Sequence, residues 1–206
     1  MSTPRPIPVV IVSAALSAIP QVGGPLQTVY DAIDERRRYR IESTAREIAD
    51  LAGHDRLVER VLEDSRVEAL LGEALEAAAR TGFEAKRRLL GRAVADALLS
   101  EDEAAVDYAA LIVTALTQLE PLHVRALIRL ERHTDLKYEQ AAEWDQLAVH
   151  RTLAEPVAAA LIYTGVATPG MAAGPPMYVR EITEFGRALL GQLRGVADEE
   201  MERLAD

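Results

Sequence analysis

Apolar residues recur every three or four positions along most of the chain, and small or polar residues interrupt that rhythm at intervals of one helix length. Ile41, Ala45, Ile48 and Ala52 share one helical face, and Gly53 is a natural stop. Leu57, Val61 and Leu62 begin a second stripe, and Val67, Leu70, Leu71, Ala74, Leu75 and Ala78 form a third that ends near Thr81 and Gly82. Phe83, Leu89, Leu90, Ala93, Val94, Ala97 and Leu98 make a fourth, with Lys86 to Arg88 expected on its polar side. "SEDE", Ser100 to Glu103, reads as a serine cap with acids in the first turn. The helix behind it has Tyr108, Leu111, Ile112, Ala115 and Leu116 on its apolar side. Stripes of this width bury one face each against other helices, so residues 1–116 are expected to form a helical bundle suited to oligomerisation. No repeat period of solenoid length is present.

The second half changes character at Thr117. "TQLE", Thr117 to Glu120, is a capping-box pattern followed by Pro121 and an apolar stripe through Leu122, Ala126, Leu127 and Leu130. "KYEQAAEW", Lys137 to Trp144, predicts a short helix, and "TLAE", Thr152 to Glu155, is a second capping box with Pro156 in the first turn. Gly165 ends that helix, Val166 to Thr168 and Met177 to Ile182 alternate as two strands, and Thr183 caps a closing helix with Phe185, Leu189, Leu190 and Leu193. This order, with "TGVAT" from Thr164 and "ITEFGRALL" from Ile182 to Leu190, resembles the winged-helix domains of many bacterial regulators. Joined to the helical stripes before it, the resemblance implies a mainly α protein: a helical bundle followed, over 117–206, by a winged-helix domain with a two-stranded β-hairpin wing. It places His150, Arg151 and Thr152 at the start of the recognition helix and Arg180 on the wing, where each would meet DNA or a protein partner.

Charge weighs against DNA. The chain carries a formal charge of -10, and residues 117–206 hold nine basic and fourteen acidic residues. Phosphate contacts supply much of DNA affinity, and the wing tip from Pro169 to Pro176 has no Lys or Arg. Winged helices also serve as protein-docking modules, because fold does not fix function.

The start of the chain raises a second option. From Pro6 to Tyr30 there is no charged residue, which is long enough to cross a bilayer. Pro20, Gly23, Gly24 and Pro25 break the run, favouring a buried segment over a span. Arg36, Arg37, Arg38 and Arg40 follow, where contacts to an anionic membrane surface would sit. They spread around a helix, and Asp31, Asp34, Glu35 and Glu42 neutralise part of their charge. The first forty residues also resemble, weakly, a recurring start of bacterial helical proteins that has no assigned activity.

Chemistry is sparse. There is no Cys, which excludes disulfides and thiolate metal sites and suits a cytoplasmic location. His54, His123, His133 and His150 lack metal-ligand spacing, and no nucleophile elbow or phosphate-cradling glycine loop is present. The expectation is a cytoplasmic, homo-oligomeric, non-catalytic regulator or adaptor with no cofactor, metal or small-molecule substrate. The alternative is a membrane-associated helical protein that inserts its apolar N-terminal segment.

Overall fold

A computed structural model describes residues 23–137, 153–170 and 179–205, without the side chains of 23–26 and 133–137. The described residues form nine helices and one antiparallel two-stranded sheet. Two compact units result, residues 1–40 and 41–206.

Helix α1 is Gly23–Ala52. Its first turn contains Gly23, Gly24 and Pro25, where the sequence predicts a break. Proline is tolerated there because the first amide groups of a helix have no partner within it. Within the first unit, Val29, Ile33 and Tyr39 are exposed. Within the second, Thr44, Ile48 and Ala52 lie at i, i+4 and i+8 and are buried. Gly53, at φ 87°, then turns the chain into α2, His54–Glu63. Leu62 is 81% exposed, outside the stripe expected for it.

Three helices make the centre: α3, Ser65–Arg80; α4, Glu84–Leu99; and α5, Glu103–Gln118. They pack on one another, and α4 also touches α2 and two helices from the end of the chain. Ten residues of α4 are buried, around nearly its whole circumference. Alanines at 85, 93, 95 and 97 permit this, since they favour helix and keep neighbouring axes close.

Both ends of α4 are closed by distant charged side chains. The residue before it, Phe83, offers no side-chain cap. Instead Glu200 accepts from the Glu84 amide at 3.3 Å and the Ala85 amide at 2.6 Å. At the other end Arg56 donates to the carbonyls of Leu98, at 2.8 Å, and Leu99, at 3.0 Å. An anion at the amino end and a cation at the carboxyl end complement the helix dipole.

The remaining elements gather on α6, Pro121–Lys137. They are α7, Glu155–Tyr163; β1, Ala167–Pro169; β2, Val179–Ile182; α8, Glu184–Val196; and α9, Asp198–Ala205. Helix α6 touches β2, α7, α8 and α9. The strands pair Ala167 with Ile182 and Thr168 with Glu181, and the register shifts before Pro169 pairs with Val179. Thus β1 sits one residue later than expected. One buried cluster runs from Ile48 to Met201.

Several helix caps fall at other residues than the sequence pattern predicts. Thr117 lies in the last turn of α5 and donates to the Thr114 carbonyl, and Glu120 stands before Pro121 at the start of α6. Ser100 closes α4, and Asp102 caps α5 by accepting from the Ala104 amide. The α7 cap position is Ala154, two residues beyond Thr152. Thr183 is the expected cap: its hydroxyl accepts from the Gly186 amide at 3.0 Å.

Candidate binding surfaces

His150, Arg151 and Thr152 lie outside the described residues. Arg180 projects from β2 with 64% of its side chain exposed, and its Nε is 4.0 Å from a Glu181 carboxylate oxygen. So loose a surface pair contributes little to stability, but it offsets the charge of Arg180. Arg36, Arg37, Arg38 and Arg40 lie on α1, where Arg38 pairs with Asp34 at 2.5 Å, one turn earlier. The local neutralisation expected there is present at that pair.

A ridge of apolar and aromatic groups forms where α5, α7 and α8 approach. Tyr163 is 84% exposed, Leu111 60% and Tyr108 43%. The Tyr108 ring meets the half-buried Phe185 ring edge to face, with centroids 6.5 Å apart and planes at 84°. Beside them lies a cavity of about 470 Å³, lined by Leu111, Thr114, Gln118, Tyr163, Thr164 and Phe185. Local sequence fixes the two ends of the ridge. Gly165, at φ 72°, stops α7 just beyond Tyr163, and the Thr183 cap starts α8 two residues before Phe185. The core-facing side of α5 is instead Val106, Ala109, Ile112, Val113, Ala115 and Leu116. Tyr108 and Leu111, expected on that side, face away from it.

The second correction concerns Lys86, expected on a polar face and 2% exposed. Its ammonium donates to the Leu119 carbonyl at 3.0 Å and to the Glu120 carboxylate at 2.8 Å. Thr81 donates its hydroxyl to the other Glu120 oxygen at 3.2 Å and accepts from the Phe83 amide at 3.1 Å. The group ties the α3–α4 connection to the start of α6. Burial pushes the Lys86 pKa below its ordinary value, while hydrogen bonding and attraction to Glu120 oppose that shift. Every strong contact in the cluster is internal to the fold, so its role is structural.

His123 completes it. Its Nδ1 accepts from the Glu120 amide at 3.0 Å, a histidine in the place where a capping box uses Glu or Gln. Burial, the largest influence, holds its pKa below the ordinary 6.5, although Glu120 pulls the other way. Between the folded value and 6.5 the unfolded chain binds more protons, so stability falls as pH drops through that window. Protonating Nδ1 also removes the acceptor of the Glu120 amide. His123→Gln keeps an acceptor and removes the titration. The loss of thermal stability between pH 7.5 and 5.5 is expected to be smaller in that variant, as scanning calorimetry reads it. Equal losses would refute this role.

Among the described residues, no group of three or more His, Cys, Asp or Glu is placed to hold a metal ion, and no single helix is long and apolar enough to cross a membrane. Comparisons with protein-family models, curated proteins and solved structures give no match to this chain.

Proposed function

We propose that the chain is a non-catalytic cytoplasmic regulator or adaptor of a bacterium, whose C-terminal part is a winged-helix domain that docks a protein partner. The observation that carries this reading is the ridge of Tyr163, Leu111 and Tyr108, large apolar groups left in water beside a concave wall. Aromatic side chains in such positions are the usual anchors of protein interfaces. The order α6, α7, β1, β2, α8, with both strands antiparallel, supports the winged-helix assignment. A protein partner is favoured over DNA because Arg180 is the one cation on the described part of the hairpin, and it is paired with Glu181. In this reading the helical half contributes Tyr108 and Leu111 to the docking ridge and provides self-association through other faces.

Affinity capture from lysate, with crosslinking, tests it beside Tyr163→Glu and Leu111→Glu. Both positions are exposed, so the fold is unaffected. Loss of a central aromatic anchor costs about 2 kcal/mol or more, so roughly thirtyfold weaker capture of the same partner is expected. Undiminished capture by both variants would remove the ridge from function. Salt-sensitive binding to duplex DNA, lost in Arg180→Ala, would replace the protein reading with a DNA one.

A further inference from the structure

A basic cleft stands apart from that ridge. Arg125, Arg129 and Arg132 lie at i, i+4 and i+7, on one face of α6. Arg203 of α9 joins them around a cavity of about 390 Å³, with Ile128 and Leu204 also in its wall. Two of the four guanidiniums are held in place by backbone carbonyls. Arg132 donates to Ala205 at 2.9 Å, and Arg203 donates through Nε to Glu199 at 3.0 Å. Among the described residues, no carboxylate lies within 4.0 Å of any of the four. By contrast, Arg194 of α8 pairs with Glu131, on the same helix as the arginine stripe.

This is an unusual use of charge in a chain of -10. Like charges one turn apart repel each other, and here a fourth cation is added from another helix. Acidic side chains are plentiful enough to neutralise the group, as they do for Arg38, Arg80 and Arg88. An anion in the cleft would convert that repulsion into attraction.

We propose that this cleft binds a small phosphate ester carrying two or more negative charges. Guanidinium groups present paired donors that match phosphate oxygens, and four around one cavity fit a diphosphate or triphosphate better than a single carboxylate. The volume lies within the range of small-molecule sites. Half-buried Leu204 adds a small apolar edge beside the guanidiniums, with Ile128 buried beneath it, and the body of a nucleotide can rest there. The site is independent of the protein-docking ridge, and neither requires the other.

Isothermal titration of the full chain at low salt tests this with ATP, pyrophosphate and succinate. ATP is expected to bind more tightly than pyrophosphate, with succinate silent and binding weakened by added salt. Arg125→Ala with Arg129→Ala is expected to lower ATP affinity at least tenfold. These side chains are exposed, so folding is retained, which circular dichroism checks. The double Lys variant keeps the charge but loses the paired donors, and its affinity falls between the two. Arg180→Ala, a cation elsewhere on the surface, leaves ATP binding unchanged. No heat with ATP or pyrophosphate at millimolar concentration overturns the proposal, as does equal affinity in wild type and the Ala variant. Duplex DNA binding lost in the Ala variant, with ATP silent, would make the cleft a nucleic-acid face and overturn it as well.

Discussion

Gly186→Ala is expected to destabilise the protein by about 2–4 kcal/mol, although alanine is the better helix former. A Cβ at Gly186 would lie 2.2 Å from the Val166 carbonyl oxygen and 2.9 Å from Ile182 Cγ1. That carbonyl cannot easily withdraw, because it accepts from the Thr183 amide at 3.0 Å. Thr183 in turn is fixed by its hydroxyl, which donates to the Gly165 carbonyl at 2.8 Å. The first turn of α8 is thereby held against the segment joining α7 to β1, at a separation only glycine allows. Gly191 on the same helix has nothing within 4 Å of its own Cβ position. There Gly→Ala is expected to stabilise by about 0.5–1 kcal/mol. Urea unfolding of the two variants gives opposite signs if this packing is right. A Gly186→Ala midpoint at or above wild type would show that the close approach does not exist.

The second large effect is at the buried lysine. Glu120→Ala leaves the Lys86 ammonium inside the fold with only the Leu119 carbonyl as a described partner. Breaking a buried pair from one side costs about 3–5 kcal/mol when both charges are enclosed. Glu120 is 42% exposed, so water reaches part of the gap and the expected loss is about 2–3 kcal/mol. Lys86→Met is expected to be far milder, within about 1 kcal/mol of wild type. It keeps the length of the stem and removes the cation, while Glu120 retains Thr81 and solvent. Equilibrium denaturation of both variants decides the matter by their order. Equal losses, or a larger loss in Lys86→Met, would mean that the ammonium is not enclosed.

Much of the helical architecture was legible because its signal is local. The stripes of α3 and α4 and the stop at Gly53 follow from spacing and from residues that tolerate positive φ. Thr183 was readable for the same reason, a hydroxyl followed by an acid at a helix start, whereas the same pair at Ser100 and Glu101 stands at a helix end and Asp102 takes the cap. The first hairpin strand lies one residue from its expected place and the second ends at Ile182 as expected, with Met177 and Tyr178 outside the described residues.

What escaped depends on the neighbours each element acquires. Lys86 precedes Leu89, Leu90 and Ala93 by three, four and seven positions, on the same face, so the sequence held a signal that it belonged to the interior. Its place in a basic triplet pointed outward, and only the Glu120 partner, 34 residues away, makes burial affordable. Tyr108 and Leu111 fit the apolar stripe of α5 by period, but a helix packed by alanines needs only part of that stripe. The spacing of Arg125, Arg129 and Arg132 was visible too. Its meaning as a cleft depends on Arg203, which arrives with α9.

The two charged closures of α4 also set an order of events as the chain is made. Arg56 is synthesised before α4, so it is already present when the carbonyls of Leu98 and Leu99 appear. Glu200 comes 115 residues after the Ala85 amide that it accepts from. Until that residue has left the ribosome, the amino end of the central helix must rely on water, and the alanine-lined surfaces around it stay only partly sealed. Vectorial synthesis therefore leaves this fold open at its middle until the last of the described helices emerges, a long interval in which a nascent chain depends on being kept apart from its neighbours.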